Sequence, residues 1–243
     1  MSNPYYNKLE KFREKLRWYA EEIFSMYDKE LRLMLECCNL LKNKNNVIES
    51  STATGFVIEE FLVSMLEKKT IKNDKRRNEY KVQRLSGSTT KSSYDCWAKL
   101  NGNVMALINI KAQKEGRSKN EGVAAINKLY DDYVKTDPQK KKCYVILKIH
   151  YKFDESKKDR ERKIFVGDID VFALEEVDFK DGWRQDYRNW SKKFKDSSGR
   201  LKVSDKFRKE HPLAEEEISY EKTAEFIKEM IGKPMKAKKG KRL

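Results

Sequence analysis

Two runs of alternating apolar and polar residues, separated by Asn101-Gly102-Asn103, constrain the fold more than any other feature of the sequence. The runs cover residues 92–99 and 104–113. Asn and Gly both tolerate positive φ angles, and Asn-Gly between two such runs is typical of a tight turn between antiparallel strands. The sequence therefore predicts a β-hairpin near the middle of the chain.

The alternation assigns the residues of this hairpin to two faces, because successive side chains of a strand point to opposite sides. The apolar set of the second run is Ile108, Ile110 and Ala112, and its polar set is Asn109, Lys111 and Gln113. In the first run, one face holds Asp95, Trp97 and Lys99. A polar set of this kind is typical either of a solvated sheet face or of a site that performs chemistry.

Helical and strand patterns flank the hairpin on both sides. Apolar residues at three- and four-residue steps predict a long amphipathic helix over about 5–43, with a break near Asp28 as the alternative. The other predicted elements are a helix over 51–68 with Ser51 and Thr52 as N-cap candidates, a loop or short strand over 69–84, a helix over 122–134, strands over 143–153 and 163–174, and a helix over 224–231. This order predicts an α/β fold with a mixed central sheet flanked by helices, together with a long N-terminal helix.

We predict three regions along the chain. The N-terminal helical region covers 1–50, the core covers 51–175, and a basic C-terminal region covers 176–243. The apolar stripe of the first helix is a candidate contact between two copies of the chain, although packing within one copy explains the stripe equally well.

The charge balance indicates a polyanionic partner. Lys and Arg number 54 against 39 Asp and Glu, which gives a formal net charge of +15. A polyanion would relieve the self-repulsion of this excess, so nucleic acid is the first candidate and an anionic membrane surface the second. The sequence has no apolar run of about 20 residues and no N-terminal signal pattern, so we expect a cytoplasmic protein with no membrane partner. Its four cysteines lack CxxC spacing and are expected to be buried thiols.

Asp95, Asn109 and Lys111 form the strongest candidate for a catalytic centre. Hydrolysis of a phosphodiester requires stabilisation of the negative charge that develops around the phosphorus, and a divalent ion held by oxygen ligands can provide it. Mg²⁺ prefers hard oxygen ligands and keeps several waters, so a carboxylate from Asp95 and an amide oxygen from Asn109 would suffice. Lys111 would place an ammonium beside the scissile phosphate. We therefore expect Mg²⁺ as the cofactor.

The segment SYDCWAKLNGNVMALINIKAQ, residues 93–113, resembles the motif of the PD-(D/E)xK nuclease superfamily. Asp95 matches the first acid of the motif and Lys111 its lysine. Ile110 matches the apolar residue between the second acid and the lysine, whose backbone carbonyl often adds a metal ligand in that family. Tyr94 stands where the motif has Pro.

Asn109 stands where the motif has its second acid, which implies a lower charge and a lower metal affinity. Some restriction enzymes of this fold carry Asn or Gln at that point. The departure leaves open that a carboxylate from elsewhere in the chain completes the metal site, with Glu59, Glu115 and Glu121 as candidates.

The helix before the hairpin adds a second resemblance. The segment TGFVIEEFLVSML resembles the Gly-x-x-x-Glu-x-x-(Leu/Val) helix that supplies an extra acid in many restriction endonucleases, with Gly55 and Glu59 at the matching positions. The helical phase places Glu59 on one stripe with Phe56, Val63 and Leu66. A carboxylate on an apolar stripe is costly unless it is paired or bound to a metal, although a Glu at the solvated edge of the stripe is the alternative.

The resemblance implies a type II restriction endonuclease with a restriction-endonuclease-like core over 51–175. Such an enzyme would cut double-stranded DNA at a short specific site with Mg²⁺, act as a homodimer and be accompanied by a DNA methyltransferase of the same system. Two alternatives remain open. One is a repair or structure-specific nuclease, and the other is a DNA-binding protein that has lost catalysis, with Asn109 as the sign of that loss.

An aromatic and basic segment over 183–195 is the candidate DNA contact. Arg, Gln and Asn can bind base edges through paired hydrogen bonds, whereas Lys mostly contacts phosphate. The candidate DNA-binding residues are Gln113, Arg184, Gln185, Arg188, Asn189, Lys192 and Lys193. The helical spacing of Trp183, Tyr187 and Trp190 offers simple packing as the alternative. The tail over 233–243 resembles a non-specific phosphate-binding segment.

Overall fold

The structure is a computed structural model of the chain. It describes residues 3–34, 50–71, 80–86, 92–100, 103–116, 120–137, 140–153, 161–180, 183–186 and 199–232. The helices are α1 (Pro4–Ser25), α2 (Ser50–Ile71), α3 (Ile126–Leu129), α4 (Asp205–Glu210) and α5 (Tyr220–Gly232), and a π-helical turn (Tyr130–Lys135) follows α3. The strands are β1 (Glu30–Met34), β2 (Val82–Arg84), β3 (Cys96–Lys99), β4 (Val104–Lys114), β5 (Asn120–Ala125), β6 (Lys141–Phe153), β7 (Glu161–Ala173), β8 (Trp183–Asp186) and β9 (Arg200–Ser204). Two 3₁₀ turns cover Leu174–Glu176 and Glu215–Glu217.

Six strands form the central sheet in the order β1-β7-β6-β4-β3-β2. The long central pair β4 and β6 is parallel, while the other neighbours are antiparallel. The predicted hairpin is β3 and β4, in which Cys96 pairs with Ile108 and Lys99 with Met105. The predicted α/β class, with a mixed sheet flanked by helices and a long N-terminal helix, is confirmed.

Helices α1 and α2 cover one face of this sheet and form the first hydrophobic core. Asn3 starts α1 because its side chain accepts hydrogen bonds from the N–H groups of Tyr5 and Tyr6, at 3.1 and 3.3 Å. The buried residues of the helix are Leu9, Phe12, Leu16, Tyr19, Ala20, Ile23 and Phe24. These residues of the apolar stripe therefore pack within a single copy of the chain.

The opposite face of the sheet holds a second hydrophobic core. It is formed where α3, the π-helical turn and α5 pack on Leu107, Tyr144, Ile146 and Phe172. A second sheet, with strand order β5-β9-β8, contributes Leu201 and Val203 to the same core. This small sheet was not predicted from the sequence.

The predicted helix over 5–43 breaks near Asp28, as the alternative for this segment had it, and its continuation through 30–34 is wrong. Helix α1 ends at Ser25, and Asp28 and Lys29 then adopt left-handed φ angles of 51° and 57°. Residues 30–34 form β1, which pairs with β7 at the edge of the central sheet. The spacing of Leu31 and Met34 fits a helix, but Leu31 and Leu33 also alternate as in a strand. Residues 35–43 lie outside the described part of the chain.

Other boundaries also differ from the predictions. Helix α2 begins at Ser50, so Ser51 and Thr52 lie in its first turn and do not cap it. The predicted helix over 122–134 begins only at Ile126, because the preceding residues form β5 and pair with β9. Phe56, expected on the buried stripe of α2, is 62% exposed.

Two further expectations concern the cysteines and the membrane. Cys96 and Cys143 are buried free thiols, as expected, while Cys37 and Cys38 lie outside the described residues. Within the ranges that the structure describes, every helix is too short or too polar to cross a lipid bilayer.

Candidate active site

The candidate site lies along the edge of β4 where its pairing with β3 stops. The register pairs of the two strands end at Ile108, because β3 begins at Cys96. Alternate residues of a strand direct their N–H and C=O groups to the same edge, so the groups of Ile110 and Ala112 continue along the edge that faces β3. These backbone groups lie beyond the end of the β3 ladder and need other partners.

Two carboxylates from different elements supply those partners. Asp95, just before β3, accepts a hydrogen bond at Oδ2 from the N–H of Ile110 at 2.7 Å. Glu59, in the middle of α2, accepts one at Oε1 from the N–H of Ala112 at 2.8 Å. The site is therefore built from the loop before β3, the helix α2 and the strand β4, which meet at one edge.

Helix α2 comes close to this edge at Gly55. The glycine is buried one helical turn before Glu59, and a Cβ built on it would lie 3.4 Å from the carbonyl oxygen of Ala112. The Gly-x-x-x-Glu spacing thus places a residue without a side chain against the same β4 residue whose N–H binds Glu59. The predicted burial of Glu59 holds in part, since its side chain is half-buried.

Lys111 lies within electrostatic reach of Asp95. Burial raises the pKa of the Asp95 carboxyl, while the ammonium of Lys111 and the N–H of Ile110 lower it. The negative charge of Glu60 raises it slightly as well, although Glu60 itself forms an ion pair with Arg84. The structure therefore brings Asp95, Lys111 and Glu59 to the same stretch of β4.

Asn109 lies deeper in the protein than its partners. Its side chain is only 3% exposed, and Nδ2 lies 2.8 Å from the carbonyl oxygen of Ser93, 2.9 Å from that of Val123 and 2.7 Å from the hydroxyl of Tyr144. Its Oδ1 is buried and has no hydrogen-bond partner among the described residues. Lys111 and Gln113, further along the same face, are half-buried.

The other acid candidates lie elsewhere or are not described. A Cβ on Gly167 of β7 would lie 2.7 Å from Oε1 of Glu115, so this carboxylate extends across β6, away from β3 and Asp95. Glu115 is therefore no longer a candidate for completing the site. Glu121 lies in β5 opposite Val203, and its side chain is outside the described part of the structure.

The predicted DNA-contacting residues are described only in part. Gln113 lies in β4 next to His150 of β6. Arg184 and Gln185 lie in β8, where they pair with Lys202 and Leu201 of β9, and their side chains are not described. Arg188, Asn189, Lys192 and Lys193 lie outside the described residues. Trp183 lies in the strand β8 and not in a helix, while Tyr187 and Trp190 lie outside the described residues.

Four residues near the site were not identified from the sequence: Glu60, Ser93, Asp132 and Tyr144. Asp132 belongs to the π-helical turn and accepts a hydrogen bond from the N–H of Ser93 at 2.6 Å. Tyr144 of β6 donates its hydroxyl hydrogen to the carbonyl of Ser93. Neither residue lies near the hairpin in sequence, so no local pattern could have connected them with Asp95.

Asp95, Glu59 and Asn109 carry oxygen atoms of the kind that a hard divalent cation binds. Oδ2 of Asp95 and Oε1 of Glu59 bind the strand, and Asn109 has a buried Oδ1 that no described donor satisfies. Mg²⁺ needs only one or two protein carboxylates and keeps several waters. In the described part of the chain no three His, Cys, Asp or Glu side chains cluster as metal ligands, so a metal here would also use amide or backbone oxygens.

Comparison with known proteins gives little further guidance. No protein-family description matches the chain, and no curated protein is similar enough to count as a match. Among solved structures, the chain is similar to one titled NlaIV restriction endonuclease, with 15% sequence identity over 75% of this chain and 67% of that chain and a TM-score of 0.40. A likeness of this extent does not decide the activity, which has to be inferred from the site.

Proposed function

We propose that the protein is a Mg²⁺-dependent endonuclease that cuts double-stranded DNA at a short specific site, as a type II restriction endonuclease does. The observation that carries the proposal is that Asp95 and Glu59 bind the N–H groups of Ile110 and Ala112, the two neighbours of Lys111 in β4. Two carboxylates beside an ammonium form a suitable arrangement for bringing a cation and a phosphate together. The motif resemblance of residues 93–113 supports the same activity.

Each residue would have a distinct task. Asp95 and Glu59 would hold the cation through carboxylate oxygens, together with Asn109 Oδ1 and the carbonyl of Ile110, which lies on the same strand edge as its N–H. When bound there, Mg²⁺ would stabilise the negative charge that develops on the phosphate during hydrolysis. Lys111 would bind a phosphate oxygen and orient the attacking water.

The charge of the chain supports DNA as the substrate. A net charge of +15 favours binding to a polyanion and makes that binding dependent on salt. We further propose that two copies act together, since a symmetric dimer matches a palindromic site. A DNA methyltransferase that protects the host site would then belong to the same system.

Cleavage of unmethylated phage DNA tests the proposal. The protein is incubated with DNA in Mg²⁺, in Ca²⁺ and in EDTA, and the ends of the products are sequenced. Discrete fragments with a common end sequence, formed only with Mg²⁺, are expected. Cleavage without a common end sequence would indicate a structure-specific or repair nuclease, and DNA binding without any cleavage would indicate a protein that has lost catalysis.

A further inference from the structure

The loop that carries Asp95 is held through Ser93, two residues earlier. Ser93 is buried, and its N–H donates to Asp132 at 2.6 Å. Its carbonyl oxygen accepts hydrogen bonds from Asn109 Nδ2, at 2.8 Å, and from the hydroxyl of Tyr144. Both polar groups of one backbone residue are thus fixed by side chains from three separate elements. Because only Tyr94 lies between Ser93 and Asp95, this fixing also restrains the position of the Asp95 backbone.

Asn109 also contacts a second backbone carbonyl, that of Val123. Its Nδ2 lies 2.9 Å from the carbonyl oxygen of Val123, which belongs to β5 of the small sheet. One side chain therefore connects the loop before β3, the strand β4 on which it stands and the small sheet. A neutral amide can do this because its NH₂ group has two hydrogens, one for each carbonyl.

A carboxylate at this position could not make the same contacts. An ionised Asp has no hydrogen to donate, so its oxygen would face the lone pairs of the Ser93 and Val123 carbonyls inside a closed part of the protein. Only the Tyr144 hydroxyl could turn to donate to it, and that would remove the hydrogen bond from Tyr144 to Ser93. The two carbonyl groups around residue 109 therefore require a side chain that donates hydrogen bonds.

We propose that Asn109 is a positioning residue for Asp95, and that an amide replaces the second acid of the nuclease motif because residue 109 must donate hydrogen bonds to Ser93 and Val123. The role in cleavage rests on the proposed function, whereas the restraint on residues 92–95 does not. Under the proposed function, Asn109 Oδ1 would in addition contact the cation.

The substitution Asn109→Asp distinguishes this role from that of a simple metal ligand. A carboxylate is the stronger Mg²⁺ ligand, so a residue that acted only as a ligand would bind the metal more tightly after the change. A positioning residue would instead lose its contacts. We expect Asn109→Asp to lower the melting temperature by about 10 °C and to raise the Mg²⁺ concentration needed for half-maximal cleavage by at least about tenfold.

Two further variants keep the test decisive. Tyr144→Phe removes only the hydroxyl that donates to Ser93, and should raise the half-maximal Mg²⁺ concentration by about threefold to tenfold while the protein stays folded. Asn127→Asp makes the same amide-to-acid change at an exposed residue of α3, whose Oδ1 accepts a hydrogen bond that an Asp also accepts. This control should behave as the wild-type protein does.

Amide hydrogen exchange and Mg²⁺ binding are measured alongside cleavage. In Asn109→Asp, or in Tyr144→Phe should the former fail to fold, exchange at residues 92–95 should accelerate and calorimetry should show weaker Mg²⁺ binding. A change that was merely structural would lower the melting temperature and leave the Mg²⁺ dependence unchanged below it. Unchanged exchange at 92–95, or tighter Mg²⁺ binding in Asn109→Asp, would overturn the proposal. If the wild-type protein cuts no DNA, the proposed function fails, but the exchange data still decide whether Asn109 restrains the loop.

Discussion

Glu175 and Asp95 are both shielded from solvent, but the groups around their carboxylates differ. Glu175 is 2% exposed, and its Oε1 accepts hydrogen bonds from the hydroxyls of Tyr133 and Tyr5, at 2.6 and 3.2 Å, and from the N–H of Tyr144 at 3.0 Å. Burial raises its pKa to about 7, although these donors lower it. Its described partners are hydroxyl and backbone groups of the surrounding core.

Asp95 is less enclosed and has a different kind of neighbour. Its side chain is half-buried, and only Oδ2 accepts a hydrogen bond in the described structure. Burial raises its pKa as well, but the ammonium of Lys111 opposes that effect. Burial and a raised pKa are therefore common to both carboxylates. They differ in that one oxygen of Asp95 accepts no hydrogen bond in the described structure and that Lys111 lowers its pKa, and this difference makes Asp95 the candidate catalytic acid.

The largest expected effect follows from removing the charge of Asp95. Asp95→Asn keeps an oxygen that can accept from Ile110 but loses the anionic ligand, so cleavage should slow by at least about 1,000-fold. The free energy of unfolding in urea should be almost unchanged, because burial already disfavours the charged form of the Asp95 carboxyl and raises its pKa. Lys111→Ala should cause a comparable loss of cleavage. Lys99→Met, at an exposed residue of β3, is the control and should cleave DNA as the wild-type protein does. If Asp95→Asn cleaves DNA at the wild-type rate, Asp95 does not belong to the catalytic site.

A smaller effect is expected at Glu59. Glu59→Gln preserves an acceptor for the N–H of Ala112 and removes the charge, so the Mg²⁺ concentration for half-maximal cleavage should rise by roughly 10- to 100-fold. Glu67→Gln is a matched control, because Glu67 also lies on α2 and accepts a strand N–H, that of Arg84, at 3.2 Å. Equal Mg²⁺ dependence in the two variants would make Glu59 a structural acid like Glu175.

A substitution of Glu175 should change the stability of the protein and leave DNA cleavage unchanged. Its pKa of about 7 in the folded state exceeds the ordinary 4.5, so between these values the folded protein holds a proton that the unfolded chain has released. Unfolding then releases a proton, and the free energy of unfolding falls by up to about 3 kcal/mol as pH rises from 4.5 to 7. Glu175→Gln, which resembles the protonated acid, should lack this decrease.

Urea unfolding of the wild-type protein and Glu175→Gln at several pH values measures the difference directly, since other groups contribute equally to both. The variant should be the more stable of the two at pH 8 and should cut DNA at the wild-type rate. A parallel pH dependence in both proteins would show that Glu175 titrates normally, and a large loss of cleavage would end its description as a structural acid.

The sequence predicts the elements of the site better than it predicts their surroundings. The Asn-Gly turn and the alternation along β4 identify the hairpin, because these signals act between residues close in the chain. Helix α2 and its Glu59 follow from helical spacing in the same way. A break near Asp28 is one of the alternatives, but the strand β1 that follows it is missed because the spacing of Leu31 and Met34 also fits a helix.

The environment of Asn109 could not be predicted for a different reason. The alternation places its side chain on the polar face with Lys111, which suggests that both serve the same cation. In the structure its amide contacts Ser93, Val123 and Tyr144, which lie 16, 14 and 35 residues away in the chain. Periodicity gives the face on which a side chain lies, but only tertiary packing determines what that face meets.

The smallest effect is expected from Gly55→Ala, at the residue of α2 that lies against Ala112 of β4. A methyl group there would lie 3.4 Å from the carbonyl oxygen of Ala112 and 4.0 Å from its Cβ, which is ordinary van der Waals contact. Gly55→Ala should therefore keep its activity and gain up to about 1 kcal/mol of stability in urea unfolding, since Ala is the better helix former.

A larger side chain at the same position should separate Glu59 from the strand. Gly55→Leu adds atoms beyond Cβ that would meet the backbone of Ala112, so α2 must move away and the hydrogen bond from Ala112 to Glu59 should be lost. Its Mg²⁺ dependence should then resemble that of Glu59→Gln, while Gly55→Ala remains like the wild type. If Gly55→Ala already raises the Mg²⁺ requirement, the site tolerates less displacement of Glu59 than these contacts imply, and the glycine is needed for the approach itself.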